Sequence, residues 1–404
     1  MQWKPSAPKG MSYRIASFTP FSLPVTYSRK ESSFAKCSVS VMISHVSRLF
    51  RLSLGLPFLI FASLLPASAA PQAQTTASAA RSILPGPKPP DAPPEWKRHV
   101  GIYEYSSYQP PKVTDIILER NQRLYLRYPS GKEIEISLKD GLLGVPDPDG
   151  RGWIYTLSEE EGSSASAFTY LNEGFTRTDA GADPGHFYHV TPAQSVSELR
   201  DKALQLSPLP EPGPFRKPHL VELVSLDPAI RLDIRYASAN NFLSTPVYTQ
   251  ARAFMQRPAA EALLRVLHKL QPLGYGLLIH DAYRPWYVTK IFWDATPREG
   301  KIFVADPQKG SKHNRGCAVD LTLYDLSTSQ PIEMPGLYDE MSPRSFPNFQ
   351  GGTSLQRWHR DLLRRAMESE GFTVNEDEWW HFDYKDWKQY GILNVPFEKI
   401  AVGH

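Results

Sequence analysis

The chain of 404 residues has very little cysteine: two residues, Cys37 and Cys317. Cys37 lies in the N-terminal region, which is predicted below to be a removable leader, so the mature chain would keep one thiol. One thiol cannot form an internal disulfide. The sequence therefore excludes the small secreted scaffolds that depend on disulfides for their stability.

Long apolar runs are scarce as well. One covers residues 52–65, follows Arg48 and Arg51, and is followed by Ala-Ser-Ala-Ala at 67–70. It is shorter than the roughly 20 residues that span a bilayer, so a retained anchor is the less favoured alternative. A basic segment, a short apolar run and small residues are typical of a signal peptide, with Met42 as an alternative start. We predict export to the periplasm or cell envelope, with no membrane span left after cleavage.

The body of the chain has no excess of positive charge. The formal net charge is +3, but residues 1–70 hold eight Lys or Arg and one acid, so that segment carries +7 and the remainder −4. The excess of positive charge therefore lies in the predicted leader. Nothing after residue 70 resembles the basic groove of a nucleic-acid-binding protein, so that class of partner is excluded.

Composition changes along the chain predict its organisation. Dense proline removes backbone donors from helices and sheets and indicates linkers. Alternating polar and apolar residues at 123–128 and 133–138 predict an antiparallel hairpin. The predicted order is a leader (1–70), a Pro/Ala-rich linker (71–94), a small all-β accessory domain (95–195), a second linker (196–214) and a C-terminal domain (215–404).

In the C-terminal domain, helical periodicity at 258–270 and 354–370 and a strand at 275–280 predict an α+β fold. Its chemistry lies in residues 311–320 and 378–381. On one helix, His313 and Asp320 would be about 10 Å apart, too far for donors that each lie roughly 2 Å from one metal ion. We therefore expect His313 in a turn closed at Gly316. Asp320 would lie near the start of a strand, 318–324, that has one buried face, and would project towards the cleft.

The spacing of Glu378 and His381 requires a bend. Residues three apart on a regular strand point to opposite faces. We therefore predict Glu378 at a bend after the acidic run 375–377, and His381 on a strand at 379–384. A glutamate so placed can activate the water molecule of a metal site.

These motifs resemble the D-alanyl-D-alanine dipeptidase family of zinc peptidases, which is related to the D-Ala-D-Ala carboxypeptidases. The resemblance rests on Ser-x-His-x-x-Gly-x-Ala-x-Asp (311–320), Glu-x-x-His (378–381) and Asp-Ala-Tyr-Arg-Pro (281–285). Segments 235–242 and 338–342 also contribute, and the whole covers about residues 215–400. It implies an antiparallel sheet with flanking helices. It also implies one Zn²⁺ per chain, bound by His313, Asp320 and His381.

The resemblance also implies roles for other residues. Glu378 would be the catalytic base, and Arg284 would stabilise the oxyanion of the transition state. Two further residues are candidates for substrate contact on their chemistry and not on the resemblance: Asp339 for the substrate ammonium, and Ser311 for the peptide backbone or carboxylate. The expected reaction is hydrolysis of D-alanyl-D-alanine to two D-alanines. The alternative is a D,D-carboxypeptidase that acts on longer peptidoglycan peptides.

Other interpretations remain open from the residues alone. Arg284 can simply form a salt bridge with Asp281, and Cys317 can be a nucleophile instead of a small packed residue. The domain can also be an inactive module that binds peptidoglycan peptides. Intact candidate residues at every position favour an enzyme.

Overall fold

The computed structural model describes residues 82–105, 114–139, 142–144, 153–157, 167–170, 173–178, 189–340 and 342–400. The predicted leader, with Cys37, Met42 and the apolar run, lies outside the described residues. Within the described part of the chain, no helix combines the length and apolar character needed to cross a bilayer.

In the part of the first region that the structure describes, eight strands form an antiparallel sheet. Each strand pairs with the next, and the last pairs with the first, so the sheet closes into a barrel. The predicted hairpin is present as β3 and β4, joined by a turn at Gly131. A short helix, α1 (Pro94–Lys97), precedes β1 (Gly101–Tyr105), β2 (Thr114–Glu119), β3 (Leu124–Arg127), β4 (Glu133–Lys139), β5 (Leu142–Gly144), β6 (Trp153–Leu157), β7 (Ala167–Tyr170) and β8 (Glu173–Arg177).

The predicted linker at 196–214 was wrong in its first half, because Val196–Leu204 forms a helix, α2. A capping box explains its start: the Ser195 side chain accepts from the Glu198 backbone N–H, and the Glu198 carboxylate accepts from the Ser195 N–H. Val196, Leu199 and Ala203 bury its apolar stripe. The local cap and this stripe outweigh the prolines, which begin only after the helix has ended.

A five-stranded sheet forms the centre of the C-terminal region, in the order β10 (Ile230–Leu232), β12 (Tyr275–Asp281), β13 (Ala318–Asp325), β15 (Glu378–Tyr384) and β14 (Phe372–Asn375). It is antiparallel except at one edge, where β10 runs parallel to β12 because the chain crosses over between them through a helix. A two-stranded sheet pairs β9 (Leu220–Glu222) with β11 (Phe254–Gln256).

Three helices accompany this sheet: α3 (Arg257–Leu270), α4 (Trp286–Ala295) and α5 (Ser354–Glu368). The α3 and α5 spans agree with the helical periodicity of the sequence to within two residues. Both helices contact the sheet and each other. The apolar side chains between them form one large core with Leu277, Ile279 and Leu321.

The prediction that strand β13 has one buried face was wrong, because both of its faces are buried from Ala318 to Tyr324. The loop after β13 folds back over the polar face. Tyr338 of this loop makes two contacts with that face. Its hydroxyl donates to Asp320 Oδ2 at 3.2 Å, and its ring stacks on His280 with ring centroids 4.5 Å apart. The polar side chains of β13 are therefore enclosed rather than solvated.

The barrel touches the C-terminal region through Glu119, at the end of β2. Its buried carboxylate accepts from the Ser354 N–H at 2.7 Å, and its backbone oxygen accepts from Arg357 at 2.7 Å. A carboxylate is favoured at this place because the first N–H groups of α5 have no partner within the helix. Glu119 thus joins the barrel to the start of α5.

The described end of the predicted 71–94 linker lies against α5 and β12. Ile83 is buried, and the Gly86 carbonyl accepts from the Trp358 indole at 3.1 Å. The Lys88 ammonium donates to the Tyr275 hydroxyl at 2.7 Å. Proline keeps this segment extended, and these contacts attach it to the C-terminal region.

Candidate active site

Three side chains from separate elements meet at one end of the sheet. His313 lies in a 3-10 turn, His313–Arg315, and Asp320 and His381 face each other across β13 and β15. The turn closes at Gly316, whose φ of 67° suits glycine, and a Cβ there would meet Leu220 at 2.7 Å. The structure thus brings together the three residues that the motifs identified.

The spacing of their donor atoms fits a metal ion. His313 Nε2 lies 3.1 Å from His381 Nδ1 and 3.4 Å from Asp320 Oδ1, and the last two atoms are 3.0 Å apart. Donors held about 2.0–2.1 Å from one tetrahedral zinc ion lie about 3.3–3.4 Å apart. Asp320 Oδ1 is buried, and neither nearby nitrogen makes a hydrogen bond to it. The group can therefore hold one metal ion.

The other nitrogen of each histidine is occupied by a protein acceptor. His313 Nδ1 lies 2.7 Å from the Ala282 carbonyl oxygen, which can only accept a hydrogen bond, so Nδ1 carries the proton. The Nε2 atom then has a free lone pair with which it can bind a metal ion. His381 Nε2 lies 2.9 Å from Asp383 Oδ1, and Lys312 pairs with the other oxygen of that carboxylate. Such partners fix the ring orientation and tautomer of histidines that bind metals.

Glu378 is the first residue of β15 and follows the turn at 376–377. The pairing of β14 with β15 shifts register beside it, and the shift allows Glu378 and His381 to face the same cleft despite their three-residue spacing. Glu378 Oε2 lies 3.6 Å from His381 Nδ1 and accepts from the Asn375 amide at 3.0 Å. Withdrawal from bulk water raises the pKa of the Glu378 carboxyl.

Arg284 makes the salt bridge that the sequence left open and also lines the cleft. Its Nη2 lies 2.7 Å from Asp281 Oδ2 and 4.0 Å from Asp320 Oδ2. Asp281 also accepts from the Tyr248 hydroxyl at 2.6 Å. The two interpretations are therefore compatible, because Asp281 holds the guanidinium in place beside His313 and Asp320.

Asp339 and Ser311 line the same cleft. Asp339 Oδ2 accepts from the Tyr236 hydroxyl at 3.0 Å. Burial, followed by the nearby charges of Glu378 and Asp320, raises the pKa of Asp339 to about 7. The Ser311 hydroxyl accepts from the His313 N–H at 3.2 Å, so it also supports the turn that carries His313.

Several contributors were missed from the sequence. Tyr236 and Tyr338 occur in the segments that carried the resemblance, but their role in holding Asp339 and Asp320 depends on contacts between distant parts of the chain. Asp383 has a local signal that was available. It lies two residues after His381, and alternate residues of a strand share a face.

Cys317 does not belong to the cleft. It is fully buried, and burial raises the pKa of its thiol to about 12. A thiol of this kind stays protonated near neutral pH, and the thiolate is the nucleophilic form. The structure supports the interpretation of Cys317 as a small packed residue.

The C-terminal region is the part of the chain that matches a known protein family. The family model described as D-ala-D-ala dipeptidase, of the peptidase M15 family, matches residues 216–402. The D-alanyl-D-alanine dipeptidase of Escherichia coli K12 is 34% identical over 178 residues, which cover 44% of this chain and 91% of the relative. That of Enterococcus faecalis is 34% identical, with 39% and 87% covered, and that of Streptomyces coelicolor is 34% identical, with 41% and 89% covered.

The fold, the site and these matches define a peptidase. The chain belongs to the D-ala-D-ala dipeptidase family of M15 peptidases.

Proposed function

We propose that this protein is a zinc-dependent dipeptidase that hydrolyses D-alanyl-D-alanine to two D-alanines. The observation that carries the proposal is the convergence of His313, Asp320 and His381 with Glu378 and Arg284 in one cleft of about 740 Å³. The names of the relatives supply the substrate.

Zinc is the metal that best suits the donor set. Two imidazole nitrogens and one carboxylate oxygen are typical of catalytic zinc sites, which keep a fourth position open. When bound, zinc would lower the pKa of a water molecule and polarise the carbonyl of the substrate.

Glu378 is the proposed general base. Its carboxylate accepts a proton from the attacking water and later delivers it to the leaving amine as the amide C–N bond breaks. The position supports this role, because the side chain adjoins His381 without belonging to the metal-binding group. A pKa above the usual range brings such a carboxyl closer to the operating pH.

Arg284 is the proposed donor to the oxyanion. A guanidinium that is already held by Asp281 needs little reorganisation when charge develops on the carbonyl oxygen. Asp339 pairs with the substrate ammonium, and Ser311 contacts its backbone or carboxylate. Both line the cleft, which supports these assignments.

The decisive experiment compares D-alanyl-D-alanine with its N-acetylated form on the purified enzyme. Acetylation removes the positive charge and adds bulk next to Asp339, and a carboxylate without its partner is costly to enclose. We expect hydrolysis of the free dipeptide and little or none of the acetylated one. Equal rates would identify a carboxypeptidase that leaves the amino end of its peptide outside the cleft.

We also propose that the barrel is an accessory domain of an exported enzyme. The family model begins at residue 216, after the last barrel strand, which supports a separate module. Export rests on the apolar run at 52–65. N-terminal sequencing of the protein from fractionated cells tests it, because cleavage after Ala69 or Ala70 would leave a chain that begins at Ala70 or Pro71.

A further inference from the structure

The cleft is large for the proposed substrate. Its volume of about 740 Å³ lies in the range of roughly 300–1,000 Å³ that holds drug-sized ligands. A dipeptide with two methyl side chains is much smaller. Even with both of its charged ends paired, most of the cleft would remain filled with water.

Two phenylalanines at this cleft are exposed to solvent. Phe303 is 48% exposed and ends the 3-10 segment Arg298–Phe303, which precedes the metal-binding turn. Phe346 is 43% exposed and follows the turn Pro343–Ser345, beyond Asp339. A single exposed apolar side chain is ordinary. Two aromatic rings that reach one catalytic cleft from separate segments form an apolar surface for a ligand.

The inner wall of the cleft continues this apolar surface. Phe242, Phe292 and Trp380 line it and are almost completely buried. Many charged groups that line the cleft are held by other protein groups. Arg284 pairs with Asp281, Lys312 with Asp383 and Arg315 with Glu211. Apolar contact is therefore one interaction that this wall offers to a substrate, beside the charged groups of Lys309 and Asp377.

We propose that the cleft accepts D,D-dipeptides in which one residue carries a large apolar side chain, and that Phe303 and Phe346 determine this specificity. The inference rests on the proposed function, since it concerns the same site and reaction. The chemistry is unchanged: the amide C–N bond breaks, and water supplies the oxygen of the new carboxylate and the hydrogen of the new amine. Burial of a phenyl ring against the two phenylalanines would be the added interaction.

The test measures kcat/KM for D-Ala-D-Ala, D-Ala-D-Phe and D-Phe-D-Ala on the full-length mature protein. We expect at least one phenylalanine dipeptide to exceed D-Ala-D-Ala by about 10-fold, because burial of such a ring favours binding to that extent or more. If D-Ala-D-Ala is hydrolysed and both larger dipeptides are poor substrates, the inference is wrong and the proposed function stands. If none of the three is hydrolysed, both fail.

Variants assign the effect to the two rings. In Phe303→Ala and Phe346→Ala the ratio of kcat/KM for the preferred phenylalanine dipeptide to that for D-Ala-D-Ala should fall by about 3- to 10-fold, and Phe303→Leu should restore part of it. Phe215→Ala is the matched control, because Phe215 is 37% exposed but does not line the cleft. A ratio that stays the same in both cleft variants, or falls equally in the control, would overturn the assignment.

Discussion

The barrel and the five-stranded sheet differ in how their buried charged groups are arranged. The barrel core consists of apolar and aromatic side chains, such as Tyr103, Ile117, Leu126 and Phe168. The sheet also has an apolar core, but its polar face buries charged groups, including Asp281, Asp320 and Asp383. The barrel buries charge at separate positions, such as Asp115 and Glu119 on β2, whereas the sheet gathers its charged groups in one network around two histidines.

The difference shows how a fold can enclose charge in a site. A buried ionised group costs several kcal/mol unless it is paired, and these groups are paired with one another. Asp281 holds Arg284, and Asp383 holds His381 and Lys312. Among the carboxylate oxygens that the structure describes, Asp320 Oδ1 is buried without a hydrogen bond, and it faces the two histidines. Changes in the sheet should therefore affect chemistry first, and changes in the barrel should affect stability.

The largest effect is expected from removal of a metal ligand. His381→Ala leaves two donors, so the purified variant should lose its zinc and fall to the background rate of hydrolysis. Metal analysis and a dipeptidase assay on the same preparation measure both. His268→Ala is the control, because that side chain is 53% exposed and belongs to no metal group. Zinc bound at full stoichiometry in His381→Ala would contradict the assignment.

A smaller loss is expected from removal of the base alone. Glu378→Gln keeps the size of the side chain and removes its ability to accept a proton, so kcat should fall by roughly 10²–10⁴ while zinc is retained. Glu376→Gln, in the exposed turn just before it, should behave as the wild type. A Glu378→Gln enzyme with normal kcat would show that this carboxylate has only a structural role.

Removal of Asp383, the hydrogen-bond partner of His381, should weaken metal binding less than removal of His381 itself. Asp383→Ala removes the acceptor of His381 Nε2, and such changes typically weaken metal affinity by about 10- to 100-fold. Competition with a chelator measures the shift. Asp386→Ala, which changes a carboxylate outside the cleft, should leave the affinity unchanged. Equal affinities in the two variants would mean that Asp383 does not orient the histidine.

The smallest effect on activity is expected in the barrel. Ile117→Ala deletes a fully buried side chain and should lower the free energy of unfolding by about 2–5 kcal/mol, with kcat/KM of the folded protein unchanged. Chemical denaturation and the dipeptidase assay measure the two quantities. Arg123→Ala is the control, because that side chain is 62% exposed. A parallel loss of kcat/KM would break the division between the two regions and indicate coupling through Glu119 and α5.

Much of the site could be predicted from short-range patterns. The turn at Gly316, strand β13 and helices α3 and α5 follow from spacing and periodicity, because their geometry repeats within a few residues. The three-residue spacing of Glu378 and His381 predicts an irregularity beside Glu378, and the register shift of β14 against β15 lies there. Strand β15 begins at Glu378, one residue earlier than predicted. At Val196–Leu204 two local patterns compete: the prolines from residue 208 onward indicate a linker, whereas the Ser-x-x-Glu cap at 195–198 indicates the helix that the structure has.

The sequence by itself determined the identity of the candidate metal ligands, the local elements that carry them and the family to which the chain belongs. The tertiary structure decided what those residues touch. The register of β13 against β15 places His381 opposite Asp320, and contacts between distant segments bring Tyr338, Asp281 and the Ala282 carbonyl to their partners. The pairing of β8 with β1 and the burial of both faces of β13 also depend on contacts between distant segments. The physical reason is range: turns, caps and periodicity depend on neighbours in the chain, whereas register and enclosure depend on which remote surfaces pack together.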